Sequence, residues 1–270
     1  MIIDPTAIIG DEVELGENVE IGAYSVLKGK IKIGSGTVIK DHVVIYGPTT
    51  IGKDNVIHPG AVVGNISQDL KYKGEETEVI IGDKNSIREY VTIQQGTTYG
   101  GLKTVIGNNN LIMGYSHIAH DCILGNNIIM ANTTQMAGHV VINDYAYIGG
   151  LVGIHQFVTV GRHCFVGFMS RLNRDVPPFV TVEGNPATER IINQTGLKRR
   201  GFSDEDITLL RKAFQVLYIS KKTKAEKTEL LNSDEFTSNE YVKELLSFIE
   251  ETAKGKNGRA LEGKRGELTN

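Results

Sequence analysis

Residues 106–142 read IGNNNLIMGYSHIAHDCILGNNIIMANTTQMAGHVVI. Aliphatic side chains stand at Ile106, Ile112, Ile118, Leu124, Met130, Met136 and Ile142, every sixth position without a miss. The same spacing runs earlier through Ile9, Leu15, Ile21, Leu27, Ile33, Ile39, Ile45, Ile51, Ile57 and Val63. It resumes at Ile81, Ile87 and Ile93, slips by one residue, and continues from Ile106 to Leu172. Two residues before each site the side chain is usually small or β-branched, as at Val19, Val43, Ala61, Ser116, Thr134 and Val140. Glycine often follows the site, as at Gly16, Gly34, Gly107 and Gly125, which gives a structural reason for 31 glycines in 270 residues.

An amphipathic helix needs apolar recurrence near 3.6 residues, so a period of six rotates around it. A short strand followed by a bend, with positions i and i−2 inward, accommodates the pattern. Glycine or asparagine at the bend would take the positive φ that other residues resist. Three units per turn make a triangular parallel β-helix, about 18 residues per coil and about 4.8 Å between coils. Two polar stretches break the period, Asn65–Thr77 and Gln94–Thr104, and are expected to loop out of the solenoid.

The pattern ends near Pro177-Pro178 and Gly184-Asn185-Pro186. We assign residues 1–190 to a β-helix domain, 191–253 to an α-helical domain and 254–270 to a mobile tail. Ser203, followed by Asp204, Glu205 and Asp206, starts a helix with Ile207, Leu210, Phe214, Leu217 and Tyr218 on one stripe. A second stripe, Tyr241, Leu245, Phe248 and Ile249, opens after Ser238. The fold class is therefore mainly β with a C-terminal α-helical part. Net charge is −3, which does not point to nucleic acid. No apolar run has the length of a membrane span, and Met1–Gly10 lacks the features of a secretory signal, so a cytoplasmic location is expected. Cys122 and Cys164 are too few for a disulfide scaffold.

The coil length converts sequence spacing into stacking. His120, Gly138 and Gln156 are spaced by 18 and should form one column, with Asp121 and His139 in a second beside it. His117 and His155 flank them. A neutral imidazole oriented by a carboxylate can take a proton from a hydroxyl, and a bare glycine amide can hold an oxyanion. Three clustered histidines also admit a zinc reading, though Asp121, Gly138 and Gln156 have no part in such a site. Lys198-Arg199-Arg200 could hold a pyrophosphate or meet an acidic carrier, or simply be solvated.

These residues carry a resemblance. His117-Ile-Ala-His120-Asp121-Cys122, Ala137-Gly138-His139, Ile154-His155-Gln156-Phe157, Asp175-Val-Pro-Pro178 and Gly196-Leu-Lys-Arg-Arg-Gly-Phe202 resemble the UDP-N-acetylglucosamine O-acyltransferase family, over nearly all of the chain to about residue 220. The resemblance implies a left-handed parallel β-helix, a homotrimer with sites between subunits, and the first acylation of lipid A synthesis. It implies acyl carrier protein as thioester donor, a UDP-sugar acceptor, and neither metal nor cofactor. By this likeness His120 is the general base, Asp121 its orienting partner and Gly138 the oxyanion donor. Gln68, Asp69, Lys71, His117, His139, His155 and Gln156 match substrate-binding positions, and Asn193, Arg199 and Arg200 the nucleotide end. Phe168 and Met169 fall at the acyl-length ruler, where their bulk would shorten the pocket. Gln94, Thr195 and Pro186 depart from the family's usual histidine, glutamate and histidine. The first leaves N-acylation of a 3-amino sugar open as an alternative, and a non-catalytic solenoid scaffold is the other.

Overall fold

Each six-residue unit of the solenoid folds into a strand of two to four residues and a corner. The protein is described here by a computed structural model covering residues 1–256 and 258–264. Successive strands pass to different faces of a prism: Leu111–Ile112 lies in an 11-stranded sheet, His117–Ile118 in a 9-stranded sheet and Ile123–Leu124 in an 8-stranded sheet. We call these the first, second and third faces. The next coil lies in parallel register 18 residues on, pairing Leu111 with Ile129, His117 with Gln135 and Ile123 with Val141. The expected parallel β-helix is observed.

The two polar interruptions leave the solenoid where expected. Across the first, Val56 pairs with Ser86, and across the second, Ser86 pairs with Leu111. The coils on either side therefore stay stacked while the extra residues are extruded between Val62–Asn65 and Glu78–Ile81 and between Thr92–Gln94 and Lys103–Ile106.

The interior holds the periodic aliphatics together with the residues two before them. Ile112, Ile118 and Leu124 are buried, as are Asn110, Ser116 and Cys122. Asn110 belongs to a carboxamide ladder inside one corner. Its Oδ1 accepts from Ile128 N at 2.7 Å, and its own N–H donates to Asn85 Oδ1 at 2.9 Å. Asn85 N donates in turn to Asn55 Oδ1 at 2.8 Å. Buried polar groups are thus paired where strand pairing lapses at the bend. Burial pushes both cysteine thiols up, Cys122 to about 12, so they are inert core residues.

The corners correct one expectation. Positive φ recurs every six residues, at Tyr115, Asp121, Asn127, Thr133, His139, Tyr145, Leu151, Phe157, His163 and Met169, between 55° and 64°. Only Asn127 among these is of the expected type. Left-handed backbone costs an ordinary residue about 1–2 kcal/mol. Hydrogen bonds between coils offset it: Thr133 N donates to Gly114 O at 3.0 Å and Phe157 N to Gly138 O at 3.1 Å. Corner rings also stack, with His139 on Phe157 at 4.3 Å and Tyr145 on His163 at 4.7 Å between centroids. The glycine that follows many of the aliphatics serves another purpose at sites such as Gly34. A Cβ on Gly34 would lie 2.5 Å from the Gly52 carbonyl carbon of the next coil. Close approach of coils, rather than φ, selects glycine there.

After Leu172 the chain forms an antiparallel hairpin, Val180–Gly184 with Ala187–Ile192, that extends the first face. Helices α1 (Gln194–Arg199), α2 (Asp204–Phe214), α3 (Lys224–Leu231), α4 (Asp234–Thr237) and α5 (Glu240–Ala253) follow. Ser203 caps α2 as expected, its Oγ accepting from Asp206 N at 3.0 Å, and Ile207, Leu210 and Phe214 are buried. The stripe weakens at Leu217 and Tyr218, where α2 widens into a π turn over Gln215–Ile219. Helix α5 opens after Ser238 as expected, capped by Asn239, and Val242 joins Leu245 as its most buried side chains. Arg162 fastens α5 to the solenoid, with Nε 2.6 Å from Glu244 Oε1 and its guanidinium over the rings of Phe179 and Tyr241.

The tail differs from expectation. Gly258–Lys264 forms a 3₁₀ turn held against the solenoid, with Arg259 N donating to Asp175 Oδ1 at 3.1 Å. The parts of the expected mobile tail at 257 and 265–270 lie outside the described residues.

Full burial of an isoleucine contributes about 1.5–3 kcal/mol, and the cavity left by truncation adds to its loss. Ile112→Ala, at a site with 0% exposure, should therefore cost about 2–5 kcal/mol. Thermal and urea unfolding followed by circular dichroism measure this, and an unchanged midpoint would contradict the stacked core.

Candidate active site

The corner that ends the second face carries His120, Gly138 and Gln156 one above another. All three line one groove of about 810 Å³. A Cβ on Gly138 would fall 2.5 Å from His120 Nε2, so the imidazole lies directly over a backbone that only glycine leaves bare. Among the described residues the Gly138 N–H donates to no acceptor, while its carbonyl accepts from Phe157.

The left-handed corner decides the next contact. On a straight strand His120 and Asp121 would point to opposite sides. With Asp121 at φ 61° the chain bends between them, and His120 Nδ1 donates to Asp121 Oδ2 at 2.7 Å. The Asp121 side chain is fully buried. Two further donors come from the second loop: Thr97 N on Oδ1 at 2.7 Å and Thr97 Oγ1 on Oδ2 at 2.6 Å. Thr104 Oγ1 accepts from Asp121 N at 2.9 Å. With Nδ1–H committed to the carboxylate, the hydrogen-bond network assigns the Nε2 lone pair to the groove. An imidazole so held can accept a proton from a substrate hydroxyl, with a bare amide close by for a developing oxyanion.

His120, Asp121 and His139 also bring ligand atoms within 4.8 Å of one another. That donor set fits a metal poorly. Asp121 Oδ2 is engaged by both Thr97 Oγ1 and His120, and its distance to His139 Nε2 is 3.8 Å. His139 does not line the groove; it is buried, edge-on to His120 and stacked on Phe157.

The first loop brings Gln68, Asp69 and Lys71 to the groove, with Asp69 Oδ2 4.0 Å from His120 Nε2. Gln94, one of the departures from the family pattern, joins the two loops by accepting from Gln68 N at 3.4 Å. His117 lines the groove with Nδ1 2.7 Å from Thr92 Oγ1. Burial first, and then electrostatic interaction with His120, lowers its pKa from the ordinary histidine value. His155 and Gln156 meet the C-terminal turn: Arg259 Nη1 donates to His155 Nδ1 at 2.6 Å, and Gln156 Nε2 donates to Glu262.

Asn193, Arg199 and Arg200 are not brought to this groove. They line a separate cavity of about 620 Å³ with Asn127, Tyr145 and His163, at the corner that opens the first face. Asn193 Oδ1 caps α1 by accepting from Gly196 N at 3.1 Å, and Arg200 lies 4.6 Å over the Tyr145 ring. Phe168 and Met169 sit on the third corner, between the first and second faces. That corner bears an exposed apolar edge of Tyr24, Tyr90, Tyr115, Leu151, Phe168 and Met169, each about half to two-thirds exposed. Sequence reasoning missed Thr97 and Thr104. Their contacts to Asp121 cross a loop whose length breaks the 18-residue arithmetic.

Residues 175–257 match the family described as UDP N-acetylglucosamine O-acyltransferase, domain 2, and residues 30–65 and 103–138 match the bacterial transferase hexapeptide family. The chain is similar to acyl-[acyl-carrier-protein]–UDP-N-acetylglucosamine O-acyltransferases from Aliarcobacter butzleri, at 49% identity, and Herminiimonas arsenicoxydans, at 47%. Each alignment spans 94% of this chain, and 96% and 98% of the respective relative. A solved UDP-N-acetylglucosamine acyltransferase structure from Bacteroides fragilis matches with a TM-score of 0.88 at 38% identity, covering 92% of this chain and 96% of that one.

His163, in the second cavity, has its pKa lowered to about 4 by burial first and then by Arg162 and Arg200. The folded chain thus refuses a proton that the unfolded chain accepts below about pH 6.5. Its contribution to stability is present above that pH and is lost as pH falls toward 4. His163→Phe keeps the ring stack and removes the titration. Thermal midpoints at pH 7 and pH 4.5 should differ less in this variant than in the parent; an equal difference would contradict the assignment.

Proposed function

This chain belongs to the UDP-N-acetylglucosamine O-acyltransferase family, and we propose that its His120 corner carries out the acyl transfer. The enzyme moves an acyl group from acyl carrier protein to UDP-N-acetylglucosamine, the first acylation of lipid A synthesis. Among the readings open from sequence, the relatives' O-acyltransferase activity favours this one over N-acylation or a scaffold role. The observation that carries the mechanism is an imidazole 2.7 Å from a buried carboxylate and directly above the bare Gly138 backbone.

His120 Nε2 takes the proton of the sugar 3-hydroxyl as its oxygen attacks the thioester carbonyl carbon. The Gly138 N–H holds the resulting oxyanion, and Asp121 stabilises the imidazolium. Collapse re-forms the carbonyl and breaks the carbon–sulfur bond. The carrier thiolate then takes the proton back from His120. Gln68, Asp69, Lys71, His117, His155 and Gln156 line the substrate groove, with His139 supporting the dyad from behind. No metal or other cofactor takes part.

Asn193, Arg199 and Arg200 supply the nucleotide end from a neighbouring subunit, since within one chain they stand at a different corner. The exposed apolar edge supports this assembly, because a stripe of aromatic and aliphatic side chains is unfavourable in water. A head-to-tail contact of different surfaces can close as a ring, and the proposal takes that ring to be a homotrimer. Phe168 and Met169 lie on that edge, at the subunit junction, where their bulk limits acyl length. Among the described residues no helix is long and apolar enough to cross a membrane, in keeping with a cytoplasmic enzyme.

His120→Ala should lower kcat by at least about 100-fold with little change in KM. Co-expression of His120→Ala with Arg200→Ala tests the shared site. Random mixing leaves about a quarter of sites with both residues intact, so activity should return toward a quarter of the parent's. Near-normal turnover by His120→Ala would sink the base assignment, and no recovery in the mixture would sink the shared site. Phe168→Gly should shift preference toward longer chains in a mixed acyl-carrier pool analysed by mass. An unchanged product distribution would remove Phe168 from the ruler.

A further inference from the structure

The second loop, Gln94–Thr104, is built around Asp121. A Cβ on Gly100 would collide with the Asp121 carboxyl, so the loop closes over that side chain only because this residue is glycine. Within the loop, Gly100 N and Leu102 N both donate to Thr97 O, at 3.2 and 3.0 Å. This tight turn aims the Thr97 N–H and hydroxyl at the carboxylate. Thr97 is 1% exposed and the Asp121 side chain 0%, so water does not substitute for either donor. A buried carboxylate without donors is costly, and one free to rotate does not hold its partner.

We infer that Thr97 is a positioning residue for the acyl transfer, and that it acts through Asp121 on the tautomer and aim of His120. The inference rests on the reading of His120 and Asp121 as the catalytic pair. Thr97 touches no reacting atom. Its N–H holds Oδ1, and its hydroxyl holds Oδ2, the same oxygen that accepts from His120 Nδ1. Oδ2 thereby stays in line with the imidazole, Nδ1 keeps its hydrogen, and Nε2 presents its lone pair to the groove. Loss of the hydroxyl leaves Oδ2 with a single donor in a dry site and lets the carboxylate turn about its Oδ1 anchor.

Thr97→Val removes the hydroxyl, keeps the shape, and leaves the backbone contacts of the turn in place. A hydrogen bond to a charged group is worth enough to predict a fall in kcat of about 10- to 100-fold. KM for both substrates should stay within about twofold, because Thr97 does not line the groove. Thr97→Ser should restore kcat to within about threefold of the parent. In an Asp121→Ala background, Thr97→Val should cost nothing further, since its route to His120 is gone. Parent-like kcat in Thr97→Val overturns the inference. So does an equal loss in the Asp121→Ala background, or a failure of serine to rescue, either of which marks a purely structural role. His120→Ala separates the two levels: if it stays active, the catalytic pair itself is misassigned. If it is inactive while Thr97→Val is normal, only the role of Thr97 fails.

Discussion

The vertical return of the chain every 18 residues governs the rest of the molecule. Each coil must lie on the one below at strand-pairing distance, so any side chain at the wrong place on the path forces coils apart. Glycine after an aliphatic meets that demand, as Gly34 does against Gly52. So does the asparagine ladder at Asn55, Asn85 and Asn110, which pairs buried backbone where the chain turns. Extra residues are tolerated only by leaving the stack altogether, and they do so at two places. The first place delivers Gln68, Asp69 and Lys71 to the groove, and the second delivers Thr97 to the Asp121 carboxylate beside it.

Corners bring together side chains that strands hold apart. Adjacent residues on a strand diverge, whereas the left-handed turn at Asp121 folds its carboxylate back toward His120. The backbone cost of that conformation is shared with the other corners and offset by hydrogen bonds and ring stacking between coils. The proposed catalytic pair therefore requires no strain beyond what the fold already bears. The bare Gly138 amide beside the pair comes from the coil above by the same stacking.

The prism also separates functions among its corners. One carries the imidazole and the bare amide, one the arginine-lined cavity, and one an apolar edge. A single rigid chain keeps the first two apart, so a site using both draws on a second copy. Catalysis and assembly are thus two aspects of one proposed geometry, with Phe168 and Met169 on the exposed edge.

The period of six by itself determined the solenoid, the loops and the column of His120, Gly138 and Gln156, because stacking makes contact a function of sequence spacing. It also marked the start of α2 at Ser203, since capping is local. The corners follow the sequence reading only in part: glycine or asparagine takes the positive φ at Asn18, Gly36, Gly60, Asn109 and Asn127, whereas others use tyrosine, histidine or phenylalanine, and Gly34 is needed for closeness between coils. Tertiary structure alone decided that Thr97 clasps Asp121, that His139 lies behind the pair, that Gly258–Lys264 folds onto Gln156, and that Arg200 occupies another corner from His120. Those contacts run through loops and chain ends, where the separation between partners follows no repeat. Position there is set by packing against the finished prism, a quantity that no spacing along the chain encodes.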